Sequence, residues 1–210
     1  MKRDEFYVAW SALHGGAQIR GIVKWWLSIS FVSARFLTQF RISPNALTLI
    51  GVLAAVLTWL TSPGPWAIAW LVFSLACDGV DGTLAMITGK SSRWGATLDA
   101  TADRIAEAFW VGAFIAVGVS VQSALIIWIA AATQEYVRAR AGGLGMRHIG
   151  IVTVAERPMR ASALCIALVA HNLNLLWAPG IGFVMAVIQV LSCITVLNFA
   201  YSALMTKKNE

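Results

Sequence analysis

Charge is scarce in this chain. Only 12% of its 210 residues are Asp, Glu, Lys or Arg, against 59% hydrophobic residues and a mean hydropathy of +0.72. So little charge excludes a disordered chain, which stays solvated through low hydrophobicity and high charge, and a soluble fold of this length could not hide so much apolar surface. The bilayer is the natural solvent, and at roughly 20 residues per spanning helix the chain has room for about six spans and little else. Cysteine is also scarce: Cys77, Cys165 and Cys193 are too few and too scattered for a disulfide framework and read as small core residues. The three histidines, His14, His148 and His171, have no convergent partners and read as surface or turn residues. More than forty residues bearing charges and tryptophans precede the first apolar run, which argues against a cleaved secretory signal.

Apolar runs are what the sequence does have. They fall at residues 45–60, 66–86, 95–119, 123–141, 161–176 and 181–204, the first opened by a Ser43-Pro44 cap. Period-2 alternation is absent, which disfavours a barrel. The expected fold is therefore all-α: a six-span bundle over residues 44–205, preceded by a cytoplasmic segment 1–43 and followed by a tail 206–210. In the leading segment Ile22, Val23, Trp26, Ile29, Phe31, Val32, Phe36, Leu37 and Phe40 are interleaved with Arg20, Lys24, Arg35 and Arg41, the pattern of an amphipathic helix lying in the membrane interface. Tryptophans 25, 26, 59, 66, 94 and 177 fall at span ends, as an aromatic belt requires.

All sixteen Lys and Arg residues fall in the N-terminus, the second-to-third and fourth-to-fifth connections with their flanking helix ends, and the C-terminus. The three opposite turns carry none. The positive-inside rule then puts both termini and these connections on the cytoplasmic face of a multi-pass cell-membrane protein. The net charge of +6 becomes an orientation and headgroup signal, with no basic stripe for nucleic acid.

Six of ten acidic residues lie in or beside apolar runs: Asp78, Asp81, Asp99, Asp103, Glu107 and Glu135. Carboxylates there are costly unless paired or placed in a wet cavity, so the default reading is functional. A salt bridge competes for two of them, Glu107 with Arg104 and Glu135 with Arg138 or Arg140. The aspartates are different. Asp78 and Asp81 are three apart and Asp99 and Asp103 four apart, so each pair leaves one face of its helix, and the short loop between makes the helices antiparallel neighbours. Four carboxylates converging near the cytoplasmic ends, with no basic set in the spans to neutralise them, suit two divalent cations; hard oxygen ligands favour Mg²⁺ or Mn²⁺, and such a site suits phosphoryl transfer. Gly79, Gly82, Ala85 and Gly95 clear side-chain bulk beside the carboxylates, where a nucleotide diphosphate could approach the backbone, although glycines in membrane helices also serve packing.

Residues 78–103, DGVDGTLAMITGKSSRWGATLDATAD, closely resemble the CDP-alcohol phosphotransferase signature D-x2-D-G-x2-A-R-x8-G-x3-D-x3-D. The resemblance implies transfer of a phosphatidyl or related group from a CDP-linked lipid such as CDP-diacylglycerol to a small alcohol or alcohol phosphate, releasing CMP, in a six-helix bundle that dimerises. It implies metal binding by Asp78, Asp81 and Asp99, metal binding or base action by Asp103, and a cytidine site lined by Gly82, Ala85 and Gly95. Met86 stands where the signature has arginine, so Lys90 or Arg93 would have to supply the missing donor-binding cation, or donor binding changes. Within the family the chain is most similar to bacterial phosphatidylinositol-phosphate synthases, through ISPNALTLIG (42–51), WGATLDATADRI (94–105), EYVRARAGGLG (135–145) and AERPMR (155–160). That likeness nominates Arg138 and Arg157, with Glu135 beside them, for the acceptor. Independently, Arg138, Arg140, Arg157 and Arg160 form a basic cluster able to meet an anionic acceptor, or simply follow topology. Glu135 in place of a small polar residue, and Asn198 and Phe199 in place of a phosphate-binding arginine, leave glycerol phosphate or another alcohol as an alternative. A carboxylate-based cation or proton transporter is the rival from another class; it predicts acids spread along a path, not gathered at one end.

Overall fold

The computed structural model describes residues 1–13, 16–146 and 151–206. Among these every regular element is helical: α1 (Arg3–Leu13), α2 (Gly21–Gln39), α3 (Pro44–Thr61), α4 (Trp66–Ile87), α5 (Arg93–Ala116), α6 (Val121–Gly143), α7 (Arg157–Asn172) and α8 (Ala178–Thr206). Local chemistry sets the starts. Ser43 Oγ accepts the Ala46 N–H at 3.2 Å, Ser92 Oγ the Gly95 N–H at 2.9 Å and Ser120 Oγ the Ser123 N–H at 3.2 Å, each satisfying a donor that has no partner within its helix.

Three boundaries differ from the expectation. The leading segment holds two helices, because the chain turns through positive φ at Gly16 and Gly21, where glycine meets no steric penalty. α7 starts and ends about one turn early, with Pro158 in its first turn. α8 begins at Ala178, so Pro179 sits inside the helix, where its missing N–H would have had no partner. Of the expected spans, α3, α4 and α8 are long and apolar enough to cross a membrane. α5 and α6 carry more charged residues than α3, α4 or α8, and α7 has only 16 residues. The tail residues 207–210, with Lys207 and Lys208, and also His14, Arg147 and His148, lie outside the described residues.

The chain divides into two compact units, residues 1–54 with 72–106, and residues 55–71 with 107–210. In the first, Phe6, Leu27 and Phe31 form a buried cluster against which Tyr7, Trp10, Ile19, Met86 and Ile87 pack. A second cluster joins Ala34, Leu47, Cys77, Val80 and Leu84. Two seams set α4 in place. Against α3, Ser74 Oγ donates to the Gly51 carbonyl at 2.7 Å, and a Cβ on Gly51 would lie 3.2 Å from that of Cys77. Against α2, Ser30 Oγ donates to the Gly79 carbonyl at 2.8 Å and shares a 2.8 Å hydrogen bond with Thr83 Oγ1. The Trp26 ring lies where a side chain on Gly79 would be. Gly79 is thus a packing glycine.

In the second unit a buried ion pair joins α5 to α7. Arg160 and Glu107 are 2% and 3% exposed, and Arg160 Nη2 and Nε both reach Glu107 Oε1, at 2.6 and 3.1 Å. Arg160 Nη1 donates to the Ala155 carbonyl and to Gln189 Oε1 at 3.2 Å. Gln189 Nε2 donates to Gln134 Oε1 at 3.1 Å, and Gln134 Nε2 to Thr153 Oγ1 at 3.4 Å. This adds to one expectation and corrects another. Glu107 is matched by a guanidinium from another helix, a partner the sequence did not single out, and a fully buried carboxylate gains most from one that brings several N–H groups into the core. Arg160, for the same reason, faces the core and is no part of an exposed basic cluster. The free cysteines are as expected, Cys77 and Cys193 buried and Cys165 half-buried.

Two outcomes follow. Arg160→Met leaves a buried carboxylate without its guanidinium and is expected to cost about 3–5 kcal/mol in denaturant unfolding of the micelle-solubilised chain, with Glu107→Leu added to it recovering most of the loss. Gly79→Ala drives a methyl into the Trp26 ring and is expected to cost about 1–3 kcal/mol, a loss that Trp26→Leu relieves.

Candidate metal centre

The second half of α4 and the first half of α5 bring carboxylates together. Asp78, Asp99 and Asp103 each offer an oxygen, and these oxygens lie within 4.8 Å of one another; all three residues are half-buried. The spacing explains the α5 pair, since four residues return to nearly the same face of a helix. Oxygens on opposite sides of a divalent ion stand about 4–5 Å apart when each metal–oxygen distance is about 2.0–2.6 Å. The cluster therefore has the size and the hard all-oxygen donor set of a divalent-metal site.

Asp81 is placed differently. It is 5% exposed and accepts the Thr48 hydroxyl of α3 at 2.6 Å. Three residues along a helix turn the side chain about 60° away from Asp78, and this rotation carries Asp81 toward α3, outside the cluster of three. One cation does stand beside the carboxylates, Arg104 Nη2 at 3.8 Å from Asp103 Oδ2, too little to neutralise them. Thr48 was not identified from sequence; its signal is a hydroxyl one turn into α3, on the helix that Ser43 and Pro44 start.

The remaining donor-site candidates fall into distinct surroundings. A Cβ on Gly82 would meet nothing within 4 Å, so packing does not require glycine there, and the exposed backbone beside Asp81 is open to a ligand. Gly95 is closer fitted, with Ser92 Oγ 3.1 Å and Asn45 Oδ1 3.4 Å from the position of a Cβ. Ala85 is half-buried, and Lys90 and Arg93 are exposed at the two ends of the α4–α5 loop. Met86 belongs to the apolar cluster around Phe6, Leu27 and Phe31. Where the signature has a cation, this chain has a packing residue.

The acceptor candidates lie in the second unit. Arg138 Nη1 donates to Glu135 Oε1 at 2.6 Å and to Glu156 Oε2 at 3.0 Å, and its Nη2 donates to Glu156 Oε1 and the Ile151 carbonyl, both at 2.7 Å. Of the two partners considered for Glu135, the structure uses Arg138. Glu156 also accepts the Thr153 N–H at 2.8 Å and hydroxyl at 2.9 Å. Burial pushes the Glu156 carboxyl up, but the hydrogen bonds from Arg138 and Thr153 together outweigh it and bring its pKa down to about 2. Glu156 was missed in the sequence because it reads as a loop acid. Its signal is the AERPMR stretch that also holds Arg157. The Arg157 guanidinium stacks over the Trp110 ring, 5.3 Å from its centroid. His171 is exposed, Asn198 exposed and Phe199 half-buried.

The chain matches the family model of the CDP-alcohol phosphatidyltransferases over residues 41–201. It is 32% identical over 153 residues to a phosphatidylinositol phosphate synthase of Cutibacterium acnes, covering 63% of this chain and 70% of that one. The fold is similar to that of a phosphatidylinositol phosphate synthase of Mycobacterium tuberculosis. The crystal structure of that enzyme with CDP-DAG bound gives a TM-score of 0.69 at 29% identity, covering 83% of this chain and 94% of that one. Its complex with manganese and citrate gives 0.68 at 30% identity, covering 82% and 88%. These likenesses favour a transferase over a carboxylate-based transporter. The aspartate spacing, the cluster it builds and the match across residues 41–201 make one statement: this chain belongs to the CDP-alcohol phosphatidyltransferase family, membrane enzymes that transfer substituted phosphate groups.

Proposed function

We propose that this chain transfers the phosphatidyl group of CDP-diacylglycerol to a small alcohol phosphate, in the manner of a phosphatidylinositol-phosphate synthase, and releases CMP. The carrying observation is the cluster of Asp78, Asp99 and Asp103 beside the open backbone at Gly82. In the reaction the acceptor oxygen forms a bond to the phosphorus that bears diacylglycerol, and the bond from that phosphorus to the CMP oxygen breaks. Asp103 takes the proton of the acceptor hydroxyl. Asp78, Asp99 and Asp103 would hold one divalent ion, Mg²⁺ or Mn²⁺, and the same group completed by Asp81 a second. When bound, such ions neutralise the pyrophosphate and stabilise the charge that develops on the leaving phosphate.

Gly82, Ala85 and Gly95 let the cytidine diphosphate lie against backbone. Lys90 and Arg93 carry the donor contact that Met86 does not. Arg157 and Arg138 serve the acceptor phosphate, with Glu135 and Glu156 holding the Arg138 fork in one orientation. A phosphatidylglycerophosphate-type acceptor is the second reading; the residues that favour it are Asn198 and Phe199, which offer no cation where the inositol-phosphate enzymes are expected to have one.

For topology we assign six crossings to α3–α8 over residues 44–205, with residues 1–43 in the interface and residues 206–210 as a tail. The Lys and Arg distribution puts both termini and the aspartates on the cytoplasmic side. α5 and α6 cross with their charges turned toward protein, as the Glu107 pair illustrates. α7, about 24 Å long at 1.5 Å per residue, is short for a hydrocarbon core of about 30 Å and relies on its neighbours. The resemblance adds a homodimer to this assignment.

Asp103→Asn is expected to lower CMP release from CDP-diacylglycerol and inositol phosphate by about 10²-fold or more without lowering thermal stability. Chelation should stop the wild type, and Mn²⁺ or Mg²⁺ should restore it. Failure to release CMP with any of inositol phosphate, glycerol phosphate or unphosphorylated alcohols would overturn the reading. A separate outcome concerns pH. The lowered pKa of Glu156, about 2 against an ordinary 4.5, means that its fastening to Arg138 is complete above about pH 4.5 and is lost as pH falls through 2. Thermal unfolding of the micelle-solubilised chain should therefore show an acid limb in that window which Glu156→Gln removes, while lowering stability at neutral pH.

A further inference from the structure

The N-terminal pair of helices carries a feature that the transfer reaction does not use. Residues of α1 and α2 form a cavity of about 340 Å³, lined by Arg3, Phe31, Val32, Arg35, Phe36 and Gln39. Its apolar wall is exposed: Val32 is 61% and Phe36 56% exposed, and Phe31 is buried. Two guanidinium groups stand on that wall. Arg3 donates from Nε to the Tyr7 hydroxyl at 2.9 Å, which leaves its terminal N–H groups available, and among the described residues neither Arg3 nor Arg35 is ion-paired to a carboxylate. Of the two acids in the first turn of α1, Asp4 and Glu5, neither lines the cavity, and Glu5 is turned to the Lys2 N–H at 2.8 Å.

We infer that this cavity binds one anionic phospholipid, its phosphodiester between Arg3 and Arg35 and the first carbons of its acyl chains on Phe31, Val32 and Phe36. Three properties select that occupant. The planar guanidinium fork matches phosphate oxygens better than any other cationic side chain. An exposed apolar wall beside two cations suits an amphiphile, where a free phosphate would leave the aromatic rings uncovered. The volume admits a headgroup and the start of two chains, not a whole lipid, so the remaining chain length must lie in the bilayer. A zwitterionic lipid carries the same phosphodiester, but its ammonium would meet two guanidinium groups and be repelled. None of the aspartates lines the cavity, so the site is distinct from that of the CDP-linked donor.

The inference rests on the interfacial placement of α1 and α2 proposed above. Native mass spectrometry of the full chain in detergent, titrated in parallel with phosphatidylglycerol and phosphatidylcholine, tests it. Wild type is expected to hold one phosphatidylglycerol at least fivefold more tightly than phosphatidylcholine. Arg3→Gln with Arg35→Gln should abolish that preference while leaving CMP release in phosphatidylcholine micelles unchanged. Equal affinity for the two lipids, an unaltered preference in the double variant, or displacement by soluble glycerol phosphate at equal concentration would each overturn the proposal. An environment-sensitive label on Ile22→Cys, in a chain whose own cysteines are replaced, separates the two ways it can fail. Water-like emission in phosphatidylglycerol nanodiscs removes the interfacial placement and the site with it. Bilayer-like emission without lipid preference removes the site alone.

Discussion

A carboxylate inside an apolar bundle has to be answered by positive charge, and the two ways in which this chain meets that constraint separate its scaffold from its chemistry. Glu107 is answered permanently, by a guanidinium whose N–H groups are all directed to protein acceptors or the core around it. That arrangement is stable because nothing needs to exchange. The Asp78, Asp99 and Asp103 cluster is answered in part. Three carboxylates and Arg104, at 3.8 Å from Asp103, carry a formal charge of −2 between them, the charge that one divalent ion cancels. A site completed by an ion is one whose charge can be tuned by a bound diphosphate, which a fixed ion pair cannot offer.

Much of this was legible in the sequence, and the reasons are local. Apolar runs long enough to span have few alternatives to helix, so α3 and α4 match their expected ranges closely. The spacing of Asp99 and Asp103 is a property of one helix and survives any packing. Illegible were the facts that depend on which neighbour arrives. Whether Asp81 turns to the other aspartates or to Thr48 is decided by where α3 crosses α4. The partner of Glu107 lies 53 residues away, and nothing near it in sequence distinguishes Arg160 from Arg104. Gly79 looks like its neighbour Gly82, yet one lies beneath a tryptophan ring and the other beneath open space.

The hydropathy of the helices follows the same division. The three most apolar helices include the one that brings Asp78 and Asp81, because two acids in an otherwise apolar 22-residue helix leave its mean hydropathy high. α5 and α6 spread their charges through the helix and lose that signature. What makes them chemically useful is what makes them poor spans on composition alone, and they depend on their neighbours for burial.

Met86 and the Ser30, Trp26 and Gly79 seam tie the N-terminal helices to the backbone that carries the first two aspartates. Asp78 immediately precedes the glycine whose carbonyl Ser30 holds. The same seam sets the register of the helix that carries Asp78 and Asp81 against α2. The carboxylate cluster therefore inherits its position from residues some fifty places earlier in the chain, and a change of side-chain volume at Trp26 or Ser30 reaches Asp78 through backbone alone, without touching a carboxylate.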